Sequence, residues 1–279
     1  MKYILPTFAA VFFLFYGCSK DADIASDDGA TTVVTPIDDD DADVVLQDTI
    51  CVEAAFRQEG KIYENSDRTY LWAGDNVEWH FDITDWELNE CNLLYGLGRE
   101  TFPALLEPEY APLSEIRLEL DDIDKCLVLF SGNEVKVYPY EIMISYEVVN
   151  EYHNGNPIMI AYCVLADLGA VYSRDYCGHT LTFAVSGYTH FDSNIWGGLD
   201  AFILWDRETE SLWWPLVDRA ISGDLKGFPL NKYNDALWEI MTWKEVSDNY
   251  PEAKVLLHGQ RQDAPESWAV PNAALFDCN

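Results

Sequence analysis

Alternation of apolar and polar positions dominates the middle of the chain and predicts strands there. From Glu115 to Leu120 the residues Ile116, Leu118 and Leu120 fall on one face of a period-two pattern. Leu127 to Phe130 and Val135 to Tyr138 flank Ser131-Gly132-Asn133 and read as a hairpin that Pro139 ends. Asn154-Gly155-Asn156-Pro157 is a second strong turn signal, followed by the apolar runs Ile158 to Leu165, Gly169 to Ser173 and Leu181 to Val185. Further strands are expected at Ala201 to Trp205 and Ser211 to Trp214. Two stretches have helical spacing instead: Glu141 to Asn150, with Ile142, Ile144, Val148 and Val149, and Ala236 to Asn249, two places before Pro251. This order predicts an α+β domain: a β-rich, mixed, largely antiparallel sheet with a few short helices and no βαβ alternation.

The beginning of the chain follows another rule. Lys2 supplies one positive charge, Tyr3 to Tyr16 are almost wholly apolar, and Gly17 precedes Cys18, so residues 1–17 read as a secretory signal. The run falls short of the roughly 20 residues needed to span a bilayer as a helix, which weighs against an uncleaved anchor. The junction resembles the signal of bacterial lipoproteins, although Phe15 and Tyr16 stand where that pattern prefers Leu and a small residue. The resemblance implies that Cys18 is the lipidation site and that its acyl chains hold the protein on a membrane.

Residues 18–48 read as an acidic, disordered tether. Ten aspartates, one lysine and no aromatic residue leave too little apolar surface to offset the entropy of ordering. Neither aspartate run has the alternating ligands, Gly turn and distant Glu of an EF-hand calcium loop. An acidic cluster behind a lipidated cysteine also resembles the surface-export signal of Bacteroidota lipoproteins. The expectation is an outer-membrane lipoprotein, at the cell surface or in the periplasm.

Composition changes at Thr49, and residues 49–279 are expected to form a single β-rich domain. All ten tryptophans lie in it, as do 39 acidic against 15 basic residues. That excess of negative charge argues against a nucleic-acid partner and against an anionic membrane surface, and it suits solubility in a salty external medium. Apart from Cys18 there are six cysteines, Cys51, Cys91, Cys126, Cys163, Cys177 and Cys278, an even count that points to disulfides of unspecified pairing in an exported chain. No Cys-x-x-Cys is present, so no zinc knuckle or dithiol redox site is written locally. Cys163, His179 and His190 are the metal-ligand candidates, weighed against Cys177 as a disulfide-bonded turn residue beside two surface histidines.

From Glu134 to Leu230 a succession of short stretches carries a resemblance to a family. They are Val137-Tyr138-Pro139-Tyr140, Glu147-Val148-Val149-Asn150, Gly155-Asn156-Pro157-Ile158, Tyr162-Cys163, Leu181-Thr182-Phe183, Val185-Ser186-Gly187, Ser193-Asn194, Trp205-Asp206-Arg207 and Ser211-Leu212-Trp213, with Phe102-Pro103-Ala104-Leu105 upstream. In this order they resemble the secreted bacterial family known as domain of unknown function 3179, with its core at about 100–260. The resemblance implies an exported β-rich fold and brings no established activity. Where the pattern has a histidine this chain has Tyr146, and where it has a second cysteine this chain has Ala166. A usual glutamine is replaced at Trp214-Pro215, and residues around Gly197-Gly198-Leu199 are inserted. Any metal or redox site built on the family's histidine and cysteine pair has therefore lost two ligands here.

The polar set that survives is Ser186, Asn194, Asp206 and Arg207, with Ser193. Asp206 as acid or base and Arg207 as anion clamp is the catalytic reading. Against it, neighbours on a strand face opposite ways, so the plainer reading has Asp206 capping a turn and Arg207 in a surface ion pair. Ser186-Gly187 lacks the Gly-x-Ser-x-Gly elbow and reads as a strand end. Trp196, Trp205, Trp213 and Trp214 suit a carbohydrate platform if exposed and a core if buried. The expectation is a noncatalytic binding or structural module with an extracellular ligand or protein partner and no cofactor. The alternatives are an enzyme or metal/redox protein with a pocket around Cys163, Ser186, Asn194, Asp206 and Arg207, and a glycan-binding lipoprotein.

Overall fold

The computed structural model describes residue 56 and residues 58–117, 119–195 and 197–261. The predicted signal, Cys18 and the acidic stretch lie outside the described residues, as do Cys51, Cys278 and Trp196. In chain order the elements are β1 (Ile62–Asn65), β2 (Arg68–Leu71), β3 (Phe81–Asp82), β4 (Leu93–Tyr95), β5 (Tyr110–Pro112), β6 (Lys125–Ser131), β7 (Glu134–Pro139), the short helix α1 (Tyr140–Met143), β8 (Val148–His153), β9 (Asn156–Cys163) and β10 (Leu168–Ser173). There follow β11 (Asp175–Tyr176), β12 (His179–Thr180), β13 (Phe183–Asp192), β14 (Leu199–Asp206), β15 (Leu212–Trp214), β16 (Arg219–Ser222), β17 (Trp238–Thr242), α2 (Trp243–Asn249) and β18 (Lys254–Leu256).

Two five-stranded sheets, β16-β15-β14-β13-β4 and β17-β6-β7-β18-β5, accompany the meander β10-β9-β8 and the small N-terminal sheet β1-β2-β3. Pairing is antiparallel except between β18 and β7. The α+β, strand-rich class expected from the patterning is the class observed.

Strand β9 organises the interior because both of its faces are buried. Met159, Ala161 and Cys163 enter one hydrophobic core with Trp205, Trp213, Phe183 and the N-terminal residues Leu71 and Phe81. Ile158, Ile160 and Tyr162 enter a second, against Leu127, Leu129, Tyr138 and Tyr140. The alternation is the period of two that strands impose, read here as apolar on both sides. Strands β6 and β7 repeat it, sending Cys126, Val128 and Val137 into a third core under α2, where Val246 packs. Between β8 and β13 the Asn150 amide substitutes for a ladder, accepting from Phe183 N at 3.0 Å and donating to Phe183 O at 2.8 Å.

The predicted hairpin across Ser131-Gly132-Asn133 forms, and the turn expected at Asn154-Gly155-Asn156-Pro157 closes a second one between β8 and β9. Ser131 pairs with Glu134 and His153 with Asn156, leaving two-residue turns. Asn154 and Gly155 take φ of 52° and 83°, as a primed turn requires. Three expectations are corrected. Of Glu115–Leu120, none of the described residues is in a strand: Ile116 N–H is already bonded to Leu113 O, turning the chain away from a ladder. The predicted helix at Glu141–Asn150 is only α1, because Glu147 adopts φ of 57° and Val148 and Val149 then bury on opposite sides as a strand. In Ala236–Asn249 the helix starts at Trp243, where Thr242 and Glu245 form a capping box, while Trp238–Thr242 instead covers the edge of β6.

Strand β13 carries a bulge, with its register to β14 shifting between Val185 and Thr189. At its centre Gly187 has φ of 87°, and a Cβ there would meet Leu97 O at 2.1 Å. Gly187→Ala is therefore expected to cost more than the roughly 1–3 kcal/mol of backbone strain alone, lowering the urea midpoint with little change in slope. Gly132→Ala, at φ of 60° with nothing within 4 Å, supplies the strain without the collision. Equal losses in the two variants would contradict this packing.

Candidate functional site

The bulge in β13 gives a loop somewhere to sit. Gly187 O accepts from both Gly96 N at 3.0 Å and Leu97 N at 3.1 Å, and Glu100 N donates to Val185 O. Two adjacent charges then lock the loop in opposite directions. Arg207 donates from Nε and Nη2 to the two oxygens of Glu100, at 2.8 and 2.5 Å, and the Glu100 side chain is fully buried. Arg99 pairs with Glu210 at 2.6 Å, donates to Trp79 O, and lays its guanidinium 3.6 Å from the Trp205 ring centroid. A bidentate guanidinium and a cation–π contact are the geometries arginine makes and lysine does not.

This anchored loop, the end of β9 and strand β13 enclose a cavity of about 170 Å³. Phe102, Val185, Phe202 and Leu165 are among its walls, and Cys163 and Glu147 also line it. Around the opening Leu97, Val164 and Leu165 remain 43, 43 and 58 % exposed, so the apolar lining continues onto the surface. A volume of this order admits a benzene-sized molecule, as a closed cavity of roughly 150 Å³ lined by Leu, Ile and Phe does.

Cys163 and Glu147, two of the polar groups lining the cavity, behave differently. Cys163 is a free, buried thiol whose Sγ accepts from Phe202 N at 3.4 Å, with the backbone N–H groups of Ala166 and Leu165 also directed at it. Burial nevertheless pushes the thiol up to about 11, far from the thiolate that a nucleophile or metal ligand needs. Glu147 is raised to about 7 by burial alone, and no described residue hydrogen-bonds its carboxyl. Glu147 is half-buried, and a carboxyl raised by partial burial at the margin of an apolar cavity is a candidate contact for a ligand group. Glu147 escaped the sequence reading; the signal for it was a single charge opening the otherwise apolar stretch Glu147-Val148-Val149.

The sequence candidates do not converge. Asp206 has no exposed surface and accepts from Thr209 N at 2.7 Å, Thr209 Oγ1 at 2.8 Å and Trp213 Nε1 at 2.8 Å. Burial pushes it up to about 7 against those donors. It holds the turn from β14 to β15, while Arg207 beside it serves the buried Glu100 and not a surface acid. Ser186 lies inside β13, not at its end, with Oγ accepting from Tyr188 N. Asn194 is exposed in the loop after β13, bonded to Asp192. Trp205, Trp213 and Trp214 are completely buried, which removes them as a carbohydrate platform. Their packing with Phe81, Phe183 and Tyr176 makes them core.

The cysteines and histidines separate as well. Cys91 and Cys177 are disulfide-bonded, and Cys126 and Cys163 are free and buried. His190 is not a surface residue: it is buried, bonded through Nε2 to Asn89 O, stacked edge-on against Trp214, and lowered by burial. His179 lies in the β11–β12 hairpin. Among the described residues no three His, Cys, Asp or Glu side chains stand together as a metal site. Tyr146, in place of the family's histidine, belongs to the second core and donates to Gln260 O, whereas Cys163 belongs to the first. The residues present do not fit the metal or dithiol centre that the family pattern would imply.

The arrangement defines a class: a strand-rich domain with an apolar cavity at the end of a doubly buried strand. Residues 99–268, more than half of the chain, match the family model described as protein of unknown function (DUF3179), and the chain belongs to that family. No curated protein and no solved structure matches it. Phe102, Glu147, Cys163, Val185 and Phe202 all lie within the matched segment.

Arg207→Ala is expected to cost about 3–5 kcal/mol, because it strands the Glu100 carboxylate in the interior, whereas Arg207→Met with Glu100→Leu recovers most of the loss. Urea unfolding of both variants measures this. Glu147 gives a pH signature. Its folded pKa stands above the ordinary 4.5, so the stability it contributes is complete below about pH 4.5 and is lost as the pH rises through about 7. The loss is about 3 kcal/mol, and the difference between wild type and Glu147→Gln across pH 4–8 isolates it from the other carboxylates.

Proposed function

We propose that this chain is a noncatalytic binding module, exported and held by lipid on Cys18 at the outer membrane, that receives a small apolar ligand bearing one cationic donor. The observation that carries the reading is the 170 Å³ apolar cavity with an unpartnered carboxyl, Glu147, in its wall. An amine entering with its apolar body against Phe102, Val185 and Phe202 satisfies that carboxyl and returns apolar surface to a dry site. The noncatalytic part is supported by the state of the polar groups. Asp206, Ser186 and Arg207 are occupied in structural bonds, and the Cys163 thiol is held in its neutral form.

Export is supported by the residue 1–18 pattern and by disulfide bonding at Cys91 and Cys177, which belongs to oxidising compartments. The excess of acidic residues in the domain also favours an amine over an anion.

Calorimetric titration with benzylamine and with benzyl alcohol tests the reading. Benzylamine stays protonated between pH 5.5 and 8 while Glu147 ionises, so its affinity is expected to rise roughly tenfold or more over that range. Benzyl alcohol shows no such rise, and Glu147→Gln abolishes it. Absence of saturable binding by either probe would overturn the ligand site. Turnover of any substrate that disappears in Asp206→Asn would overturn the noncatalytic reading.

A further inference from the structure

A second cavity has the opposite chemistry. Strands β1 and β2, with the turns at Thr209-Glu210 and Gly223-Asp224, border a polar cleft of about 380 Å³. Tyr63 and Tyr70 are directly opposed across the two strands, their rings 5.6 Å apart and 22° from parallel. Both are half-buried, which leaves part of the aromatic surface facing the cleft.

The platform is fixed before anything binds. His80 Nε2 lies 2.8 Å from Gly74 O, and a carbonyl only accepts, so Nε2 carries the proton. Nδ1 is then the acceptor for the Tyr63 hydroxyl at 2.7 Å. The edge-on contact of His80 with Tyr63 holds the ring from the side. Around the pair stand a guanidinium and carboxylates: Arg68, which donates to Asp82 at 2.8 Å, Glu210, held by Arg99, and the exposed Asp224. Asn65 adds an amide.

A half-buried aromatic pair ringed by planar donors and acceptors matches a pyranose, which offers an apolar C–H face and a belt of hydroxyls that both donate and accept. Against Arg68 the lining sets the carboxylates of Glu78, Asp82, Glu210 and Asp224, a balance that rejects anionic sugars. The volume lies within the range of ligand sites and admits a short oligosaccharide. We infer that this cleft binds a neutral oligosaccharide, packed against the Tyr63–Tyr70 pair and hydrogen-bonded by Arg68, Asp82 and Asp224. The aromatic residues concerned precede the segment shared with the family, while Glu210 in the same lining also clamps Arg99 of the loop over the Cys163 cavity.

The test is a glycan array carrying neutral and anionic oligosaccharides, probed with the labelled full chain. Binding to neutral members is expected to fall at least tenfold in Tyr70→Ala. It is expected to fall several-fold in Asp224→Ala, an exposed position chosen because its loss leaves the fold intact. No neutral glycan retained, retention unchanged in both cleft variants, or preference for anionic glycans would each overturn the inference.

Discussion

Burial of β9 on both faces is the constraint from which the rest of the molecule follows. A strand with Met159, Ala161 and Cys163 on one side and Ile158, Ile160 and Tyr162 on the other needs a layer above and a layer below. Its neighbours β8 and β10 cover its edges, the β13–β14 sheet supplies one cover and the β6–β7 hairpin the other. Where β9 ends, at Cys163, the upper layer is not closed by another strand. The loop 96–101 crosses there instead, resting on a glycine in a bulge, and the gap beneath it is the apolar cavity.

Charge in the interior serves that loop. Glu100 and Arg99 are sequence neighbours that reach Arg207 and Glu210, one on each side of the Asp206 turn. Buried pairs of this kind add little net stability over apolar replacements, yet removing one partner is costly. Their effect here is to give a glycine-rich segment one position. Asp206 and Arg207, which look like a site when read along the chain, belong with Glu210 to the apparatus that positions the loop at 96–101.

Much of the fold was legible because it is written locally. The turns at Gly132-Asn133 and Asn154-Gly155 announce their hairpins, and the long apolar runs of β9, β10 and β14 announce buried strands. The failures occur where tertiary demand overrides spacing. Val148 and Val149 satisfy a helical pattern as well as a strand, and only the two cores on either side of β8 decide between them. Trp238–Thr242 likewise continues a helical pattern but is taken by the open edge of β6.

The site was less legible than the fold. Cys163 stood out through the family pattern, but its thiol state depends on burial and on backbone N–H groups from β14 and the turn after β9. Glu147 stands in a family stretch with no role attached to it, and its meaning comes from a left-handed backbone and its place in the cavity wall. The closely spaced tryptophans were easier to read: core is the default for such density, and Trp205, Trp213 and Trp214 are completely buried.

The central claim is that the cavity at Cys163 and Glu147 is a dry, open receptor for an apolar group. A crystal structure of the purified protein under xenon pressure tests it most directly. The account predicts xenon density among Phe102, Cys163, Val185 and Phe202, with the Glu147 carboxyl at its margin. A cavity filled instead by ordered waters bonded to Glu147, or collapsed so that xenon is excluded, would contradict it.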